Sequence, residues 1–497
     1  MGTILRKAKA WILTAALAAT GGAAWAQAEE LTEAELEALA AIGAAADSGD
    51  CDTLLKRAEP LMERPETSLP GETTAELFEL IASCHRDAKR NDRAYAAALR
   101  GTALPESSSR LWYIRLGVEG EMKRFDALAA TLEAMTQGQS AALNDIQTLW
   151  IWGILREMKA AGAPGARLRA LKLLAGDSYA PGETFGSNDD FRFAYAQELV
   201  SAGDSAAAAP IIRALEAPHN IAAASVDPRM RGHLGTADVG AAAAKMLARH
   251  REWIAREPDR LRPLIAAATN LRQLGRAGEA LELLRTAEPR LDKLSAAEDS
   301  DHLNWWWNEL ARTYEALQRT DEAVKAYRSG MGASESGNPN VSQLINLALA
   351  QNRFGQPKDA LGTLAVRDLS TSGASPYGTM LYRRARACAH HLLGRGGEAS
   401  ADIDYIKSHE EDAPAAVTEL FLCLGDMDAA AASAIRRLDD PKQRAEMLLE
   451  LSDLELEKPS LPTDKIALNF ELMKARPDVK AAVARAGGSR RFNVAEI

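Results

Sequence analysis

Aromatic residues make up only 5% of this 497-residue chain, and the Trp, Tyr and Phe that all-β cores lean on number nine each. Long runs of β-branched residues are also missing, so an all-β fold is excluded and a parallel-sheet enzyme is disfavoured. Beyond the first thirty residues no apolar stretch approaches the ~20 residues that a membrane-spanning helix needs. Basic charge is not in excess either: 59 Lys and Arg face 69 Asp and Glu, which argues against a nucleic-acid partner. The chain lacks paired His at helical spacing, Cys-x-x-Cys, a Gly-x-Ser-x-Gly elbow and a phosphate-binding Gly loop ending in Lys-Ser or Lys-Thr. No metal, cofactor or nucleophile is therefore expected from motifs. What the chain has is alanine, about one residue in five, which favours helix and lets helices approach closely. An all-α architecture follows.

The first residues carry an address. Arg6, Lys7 and Lys9 precede an apolar stretch from Ala10 to about Ala19, then Gly21-Gly22 and the small-residue pattern Ala24-Trp25-Ala26. That order reads as a secretory signal peptide, residues 1–26, cleaved after Ala26; the alternative is a retained anchor. Cleavage removes three cations from a chain whose net charge is already −10. The expected location is the periplasm, or outside the cell, with no membrane span after cleavage.

Four cysteines, Cys51, Cys84, Cys388 and Cys423, form two local pairs 33 and 35 residues apart. In an exported chain two disulfides are the first expectation, although four cysteines allow three connectivities.

Internal periodicity comes next. Several segments share a helix, a turn and a second helix, with an Ala in the first helix followed twelve residues later by an Ala in the second. The pairs are Ala82/Ala94, Ala196/Ala208, Ala268/Ala280, Ala311/Ala323, Ala348/Ala360 and Ala387/Ala399. Gly203, Gly275, Gly355, Gly394 and Gly425 each stand five residues before a second-helix Ala, where a left-handed helix cap suits glycine. The segment Trp307, Leu310, Ala311, Tyr314, Ala323 and Tyr327 resembles the tetratricopeptide repeat. So do Leu264, Ala267, Ala268, Leu271 and Ala280, and Leu344, Leu347, Ala348, Ala360 and Leu364. Successive second-helix alanines at 280, 323, 360, 399 and 430 are unevenly spaced, so the array is irregular.

The resemblance implies an α-solenoid of antiparallel helix pairs wound as a right-handed superhelix. It suggests degenerate repeat-like helices over 27–135, an irregular helical section over 136–256 with loops at 176–190 and 217–235, repeats over 257–440, and capping helices with a polar, mobile tail over 441–497. On that layout Cys51 opens a second helix beside the end of the helix holding Cys84. Cys388 and Cys423 fall late in consecutive first helices, so both local pairs could bridge.

The same resemblance implies function. First helices line the concave face, and their inward positions fall on Arg262, Arg272, Trp305, Asn308, Arg312, Asn352 and Arg384, with His391 and Leu349 beside them. Arg grips carboxylates with two parallel hydrogen bonds, and Asn pairs with peptide backbone. The expected activity is a scaffold binding a protein or peptide, an acidic segment or a C-terminal carboxylate, without catalysis. The oligomeric state is open. The competing reading is an envelope enzyme, such as one acting on peptidoglycan, with its site in 176–235 near His219 and His233. The fragment Glu335-Ser336 also resembles the opening of a lytic transglycosylase site, without that family's downstream stretch.

Overall fold

A computed structural model describes residues 32–63, 69–294, 302–335, 340–370 and 373–497. The signal-peptide reading of 1–26 lies outside the described residues. The chain forms two compact units that divide between Phe191 and Arg192, inside the section read above as one irregular stretch.

The first unit holds α1 (Glu33–Ser48), α2 (Cys51–Met62), α3 (Gly71–Asp87), α4 (Asn91–Gly101), α5 (Ser109–Glu121), α6 (Phe125–Gly138), α7 (Ser140–Asn144), α8 (Thr148–Ala160) and α9 (Pro164–Leu174). Thr32 starts α1 as a reciprocal capping box with Glu35, and Gly49 ends it in the left-handed conformation. From α1 to α7 each helix packs on the next, and within α1–α5 Leu54, Leu77, Phe78, Ile81, Leu111 and Ile114 close one core. The stretch 176–190 is not loose: Tyr179 is buried edge-on against Phe191, and the Asn188 amide donates to the carbonyls of Leu174 and Gly176.

The second unit starts within α10 (Asp189–Ser201) and continues through α11 (Ser205–Arg213), α12 (Pro218–Val226), α13 (Val239–Arg256), α14 (Leu261–Gln273), α15 (Ala277–Arg285) and α16 (Leu291–Leu294). Then come α17 (Leu303–Ala316), α18 (Thr320–Met331), α19 (Val341–Arg353), α20 (Pro357–Leu364), α21 (Pro376–Leu392), α22 (Gly396–Ser408), α23 (Pro414–Leu424) and α24 (Met427–Asp439). The unit closes with α25 (Arg444–Glu450), β1 (Asp453–Leu454), α26 (Lys465–Lys474), α27 (Pro477–Ala486) and β2 (Arg491–Phe492). Residues 217–235, expected as a loop, contain α12, which Pro218 opens at its first position and which packs on α13 and α25. The capping helix α25 stops at Glu450, and from Asp453 the chain is drawn into strand pairing.

From α14 to α24 the helices, the short α16 apart, pair antiparallel and stack, each packing on its neighbour: an all-α solenoid. The alanine pairs from Ala268/Ala280 to Ala387/Ala399 are its crossing points. All twelve paired alanines, those at 82/94 and 196/208 included, have 0% exposure, so a larger side chain at the crossings would have to push two backbones apart. Leu264, Leu271, Leu284, Trp306, Leu310 and Tyr327 fill the space between pairs, each such burial being worth about 1.5–3 kcal/mol over exposure.

The turns behave as the glycines suggest. Gly203, Gly275, Gly355, Gly394 and Gly425 have φ between +70° and +85°. Where the repeat has no glycine, Lys89 (φ 56°) and Gln318 (φ 59°) take the same conformation five residues before Ala94 and Ala323. A side chain there costs about 1–2 kcal/mol, which neighbouring packing offsets.

Both local cysteine pairs are bridged. Cys51 joins Cys84 with Cα atoms 5.4 Å apart, and Cys388 joins Cys423 at 5.9 Å. The second bridge ties α21 to α23, two first helices lying side by side.

Candidate functional site

The residues expected to face one groove sit on the first helices α14, α17, α19 and α21, but they do not share one fate. Arg272, near the end of α14, has a side chain only 1% exposed. Its Nε donates to Glu309 Oε1 at 2.7 Å and its Nη2 to Glu309 Oε2 at 3.2 Å, a two-pronged bond between α14 and α17. Its remaining Nη1 is on the carboxylate of Glu496. Burial works against its charge, yet Glu309 and Glu496 hold its pKa above the ordinary arginine value. Asn352 is also buried and donates its amide to the carbonyl of Ala385, tying α19 to α21. Arg384 is buried against Glu419 on α23.

These bonds form a series from one first helix to the next. Arg272 meets Glu309; the Asn346 amide donates to Asn308 Oδ1 at 3.0 Å; Arg353 donates to Glu315 at 2.6 Å; Asn352 and Arg384 continue it. Four of the seven expected groove residues thus stitch helices together, and three of them, Arg272, Asn352 and Arg384, are buried. Arg262 is half-buried near the start of α14; ten residues from Arg272 at 1.5 Å per residue place it roughly 15 Å away along the helix.

What stays open is a stripe on α17. Trp305 is 40% exposed, the Arg312 side chain is 47% exposed, and Asn308 lies half-buried between them. Their spacing, three then four residues, puts them on one face. The opposite face carries Trp306, Leu310 and Tyr314 in the core. Arg312 Nη2 approaches Glu496 at 3.5 Å, so Arg272 and Arg312 converge on one carboxylate.

That carboxylate belongs to a segment that sequence reading treated as a mobile polar tail. Instead β2 pairs parallel with β1, Asp453 opposite Arg491 and Leu454 opposite Phe492. The amides of Asp453, Glu455 and Leu456 donate to the carbonyls of Arg490, Phe492 and Val494, and the Ala495 amide donates to the carbonyl of Gln273 at 2.7 Å. Phe492 and Val494 are buried. Between the strands the chain runs past the ends of the first helices: Gln318 donates to the Pro459 carbonyl, Thr463 to that of Arg353, and Asn469 to that of Leu422.

Glu309, Glu315, Glu419 and Glu496 are not among the expected groove residues because acidic residues entered only as overall charge, and Arg353 stands one position past the inward-facing Asn352. Glu309 was findable, because it lies three residues before Arg312 on the first-helix face. Glu496 was not, since 224 residues separate it from Arg272.

Glu335 and the buried His250 serve the fold. Glu335 accepts from the amides of Val341 and Ser342 and from the Ser342 hydroxyl, so it caps α19; Ser336 lies outside the described residues. His250 is buried with Nδ1 2.9 Å from Asn270 Oδ1, and burial pushes it down to about 4. A cleft of about 550 Å³ beside His409 is lined by Arg436, Arg437 and Glu410, but Arg436 pairs with Glu410 and Arg437 with Glu450. Among the described residues no group of three or more His, Cys, Asp or Glu is placed to hold a metal, and no helix is long and apolar enough to cross a membrane.

Paired helices crossing at buried alanines and turning on left-handed glycines decide the fold. The array from α14 to α24 is a helical-repeat solenoid. No family model and no curated protein matches the chain. Similar solved structures include a Rap protein complexed with Competence and Sporulation Factor, at 14% identity over 76% of this chain and 100% of that one, TM-score 0.36. The APC/C hetero-tetramer Cut9-Hcn1 is similar at 13% identity over 97% and 90%, TM-score 0.29. The pentatricopeptide repeat protein PPR10 from maize is similar at 12% identity over 89% and 72%, TM-score 0.29.

Proposed function

We propose that this solenoid is an exported interaction scaffold of the cell envelope, acting by binding a protein or peptide and not by turnover. The observation that carries the reading is the open stripe on α17. In a helix otherwise committed to the core and to inter-helix bonds, Trp305 and Arg312 stay exposed on one face. Trp and Arg are the side chains that most often dominate interface energetics. Arg312 suits a carboxylate, which favours an acidic segment as ligand. Arg6, Lys7, Lys9 and the Ala24-Trp25-Ala26 pattern support export to the periplasm, and two disulfides support an oxidising compartment.

The test is capture from envelope extract with the full chain as bait. We expect a partner retained by the wild type and lost by at least ~10-fold with Trp305→Ala plus Arg312→Ala, since two hot-spot truncations each cost about 1 kcal/mol or more. Equal retention by wild type and the double variant would remove the stripe from the account.

A further inference from the structure

The segment 490–496 is bound as a peptide ligand would be. It lies extended along β1, with its backbone carbonyls at 490, 492 and 494 accepting from one strand edge and its Ala495 amide donating to Gln273. Side chains alternate in burial as a strand requires: Phe492 and Val494 are buried, Asn493 between them is exposed but bonds Gly240 and Asp238 at the start of α13, and Glu496 reaches Arg272 and Arg312. Backbone pairing with pockets for alternate side chains is how a strand-adding peptide is recognised.

The join to the rest of the chain is anchored at Gly487, whose carbonyl accepts from Arg231 and which sits against Pro228, so release starts at Gly488. Gly487 and Gly488 both have positive φ, +121° and +83°, immediately after α27 and before the docked strand. Departure of Glu496 would not strand a buried charge, because Glu309 still holds Arg272 through two hydrogen bonds. Arg312 is already half-exposed and would return to water. The carboxylate subsite is therefore complete without the tail.

We propose that residues 490–496 are a tethered pseudo-ligand, and that the same site takes from a partner an extended segment with two apolar residues two apart and a carboxylate two further on. The inference rests on the reading of this face as a binding surface, and it names the ligand: the pattern Phe492-x-Val494-x-Glu496, supplied in trans. A tethered segment competes at an effective concentration of about millimolar, so a partner binds the wild-type chain weakly unless its own segment is better or the tail is drawn away.

The experiment uses the full chain and, as probe, a fluorescein-labelled synthetic peptide of residues 489–497, read by anisotropy. Glu496→Lys in the protein sets a cation against Arg272 and Arg312 and opens the site. Phe492→Ala with Val494→Ala opens it by a different route. We expect each opened chain to bind the probe at least ~10-fold more tightly than wild type, and Arg312→Glu added to Glu496→Lys to abolish that gain. A probe carrying Gln in place of its Glu should bind the opened chains several-fold less well. Opened chains that keep their helical circular dichroism but bind no better than wild type would overturn the proposal. So would binding indifferent to Arg312→Glu, or collapse of the helical signal in both opened variants, which would make the segment part of the core. Capture of an envelope partner with unchanged probe binding would sink the tethered ligand alone. Probe binding by opened chains with no envelope partner captured would sink the scaffold and leave the site.

Discussion

The array from α14 to α24 and the closing segment from β1 to β2 are held by opposite kinds of contact. In the array the paired helices meet their neighbours in the stack, so contacts such as Arg272 with Glu309 and Asn346 with Asn308 span fewer than about forty residues. The closing segment meets residues far away in the chain: Ala495 at Gln273, Asn493 at Gly240 and Arg490 at Ser225. Short-range repetition builds a spine whose stability spreads over many similar interfaces. A docked strand rests on a few contacts and can be exchanged. The difference suggests a rigid surface with one replaceable occupant.

The sharpest way to break this comparison is at the bridge inside the array. Cys388→Ala with Cys423→Ala should cost about 3–4 kcal/mol of stability, the loop-entropy value for a closed loop of this length, measured by denaturant unfolding. A loss confined to the closing segment would mean that the bridge serves docking and not the spine.

Acidification sharpens the same contrast. His250 ends up with a folded pKa of about 4, because burial beside Asn270 opposes its protonation. Between pH ~6.5 and ~4 the unfolded chain takes up a proton that the folded site refuses, so this contribution is fully present above pH ~6.5 and is lost as pH falls toward 4. It amounts to on the order of 3 kcal/mol. His250→Gln should flatten that part of the stability–pH curve, and an unchanged slope would contradict the assignment.

Smaller effects test the closing segment and the turns. Val494→Ala removes two fully buried methyl groups and should cost about 1–2 kcal/mol. It should also speed proteolysis after Gly488 without altering the array. Lys89→Gly and Lys123→Gly relax left-handed backbone at φ 56° and 54°. Each should stabilise the first unit by up to about 1 kcal/mol, read from its melting temperature; a loss would show the lysine side chains to be used.

The same contrast explains what could be read in advance. Ala268 with Ala280 and Gly275 lie within thirteen residues, so their spacing alone announces a crossing and a turn, and the pairing of Cys388 with Cys423 follows once the helices are placed. The stripe Trp305, Asn308 and Arg312 was legible for the same reason, because helical periodicity fixes its face. Arg272 and Arg384 could be put on the right helices, but not their burial, since that depends on Glu309 and Glu419 arriving from neighbours. Gln318 hid a turn by taking a glycine's conformation. The polar run Ser489-Arg490-Arg491-Phe492-Asn493 has the composition of a free tail; its order comes from β1 and Gln273, and no local pattern encodes either.

Amide hydrogen exchange on the full chain tests the central claim most directly, that a solenoid of stacked helix pairs holds its own closing strand at the Arg272–Arg312 carboxylate site. The Ala495 amide, which donates to Gln273, and those of Glu455 and Leu456, which donate to Phe492 and Val494, should exchange slowly in the wild type. All three should become fast in Glu496→Lys while α14 and α17 stay protected. Fast exchange at these amides in the wild type, or loss of protection throughout α14 and α17 in the variant, would contradict the account.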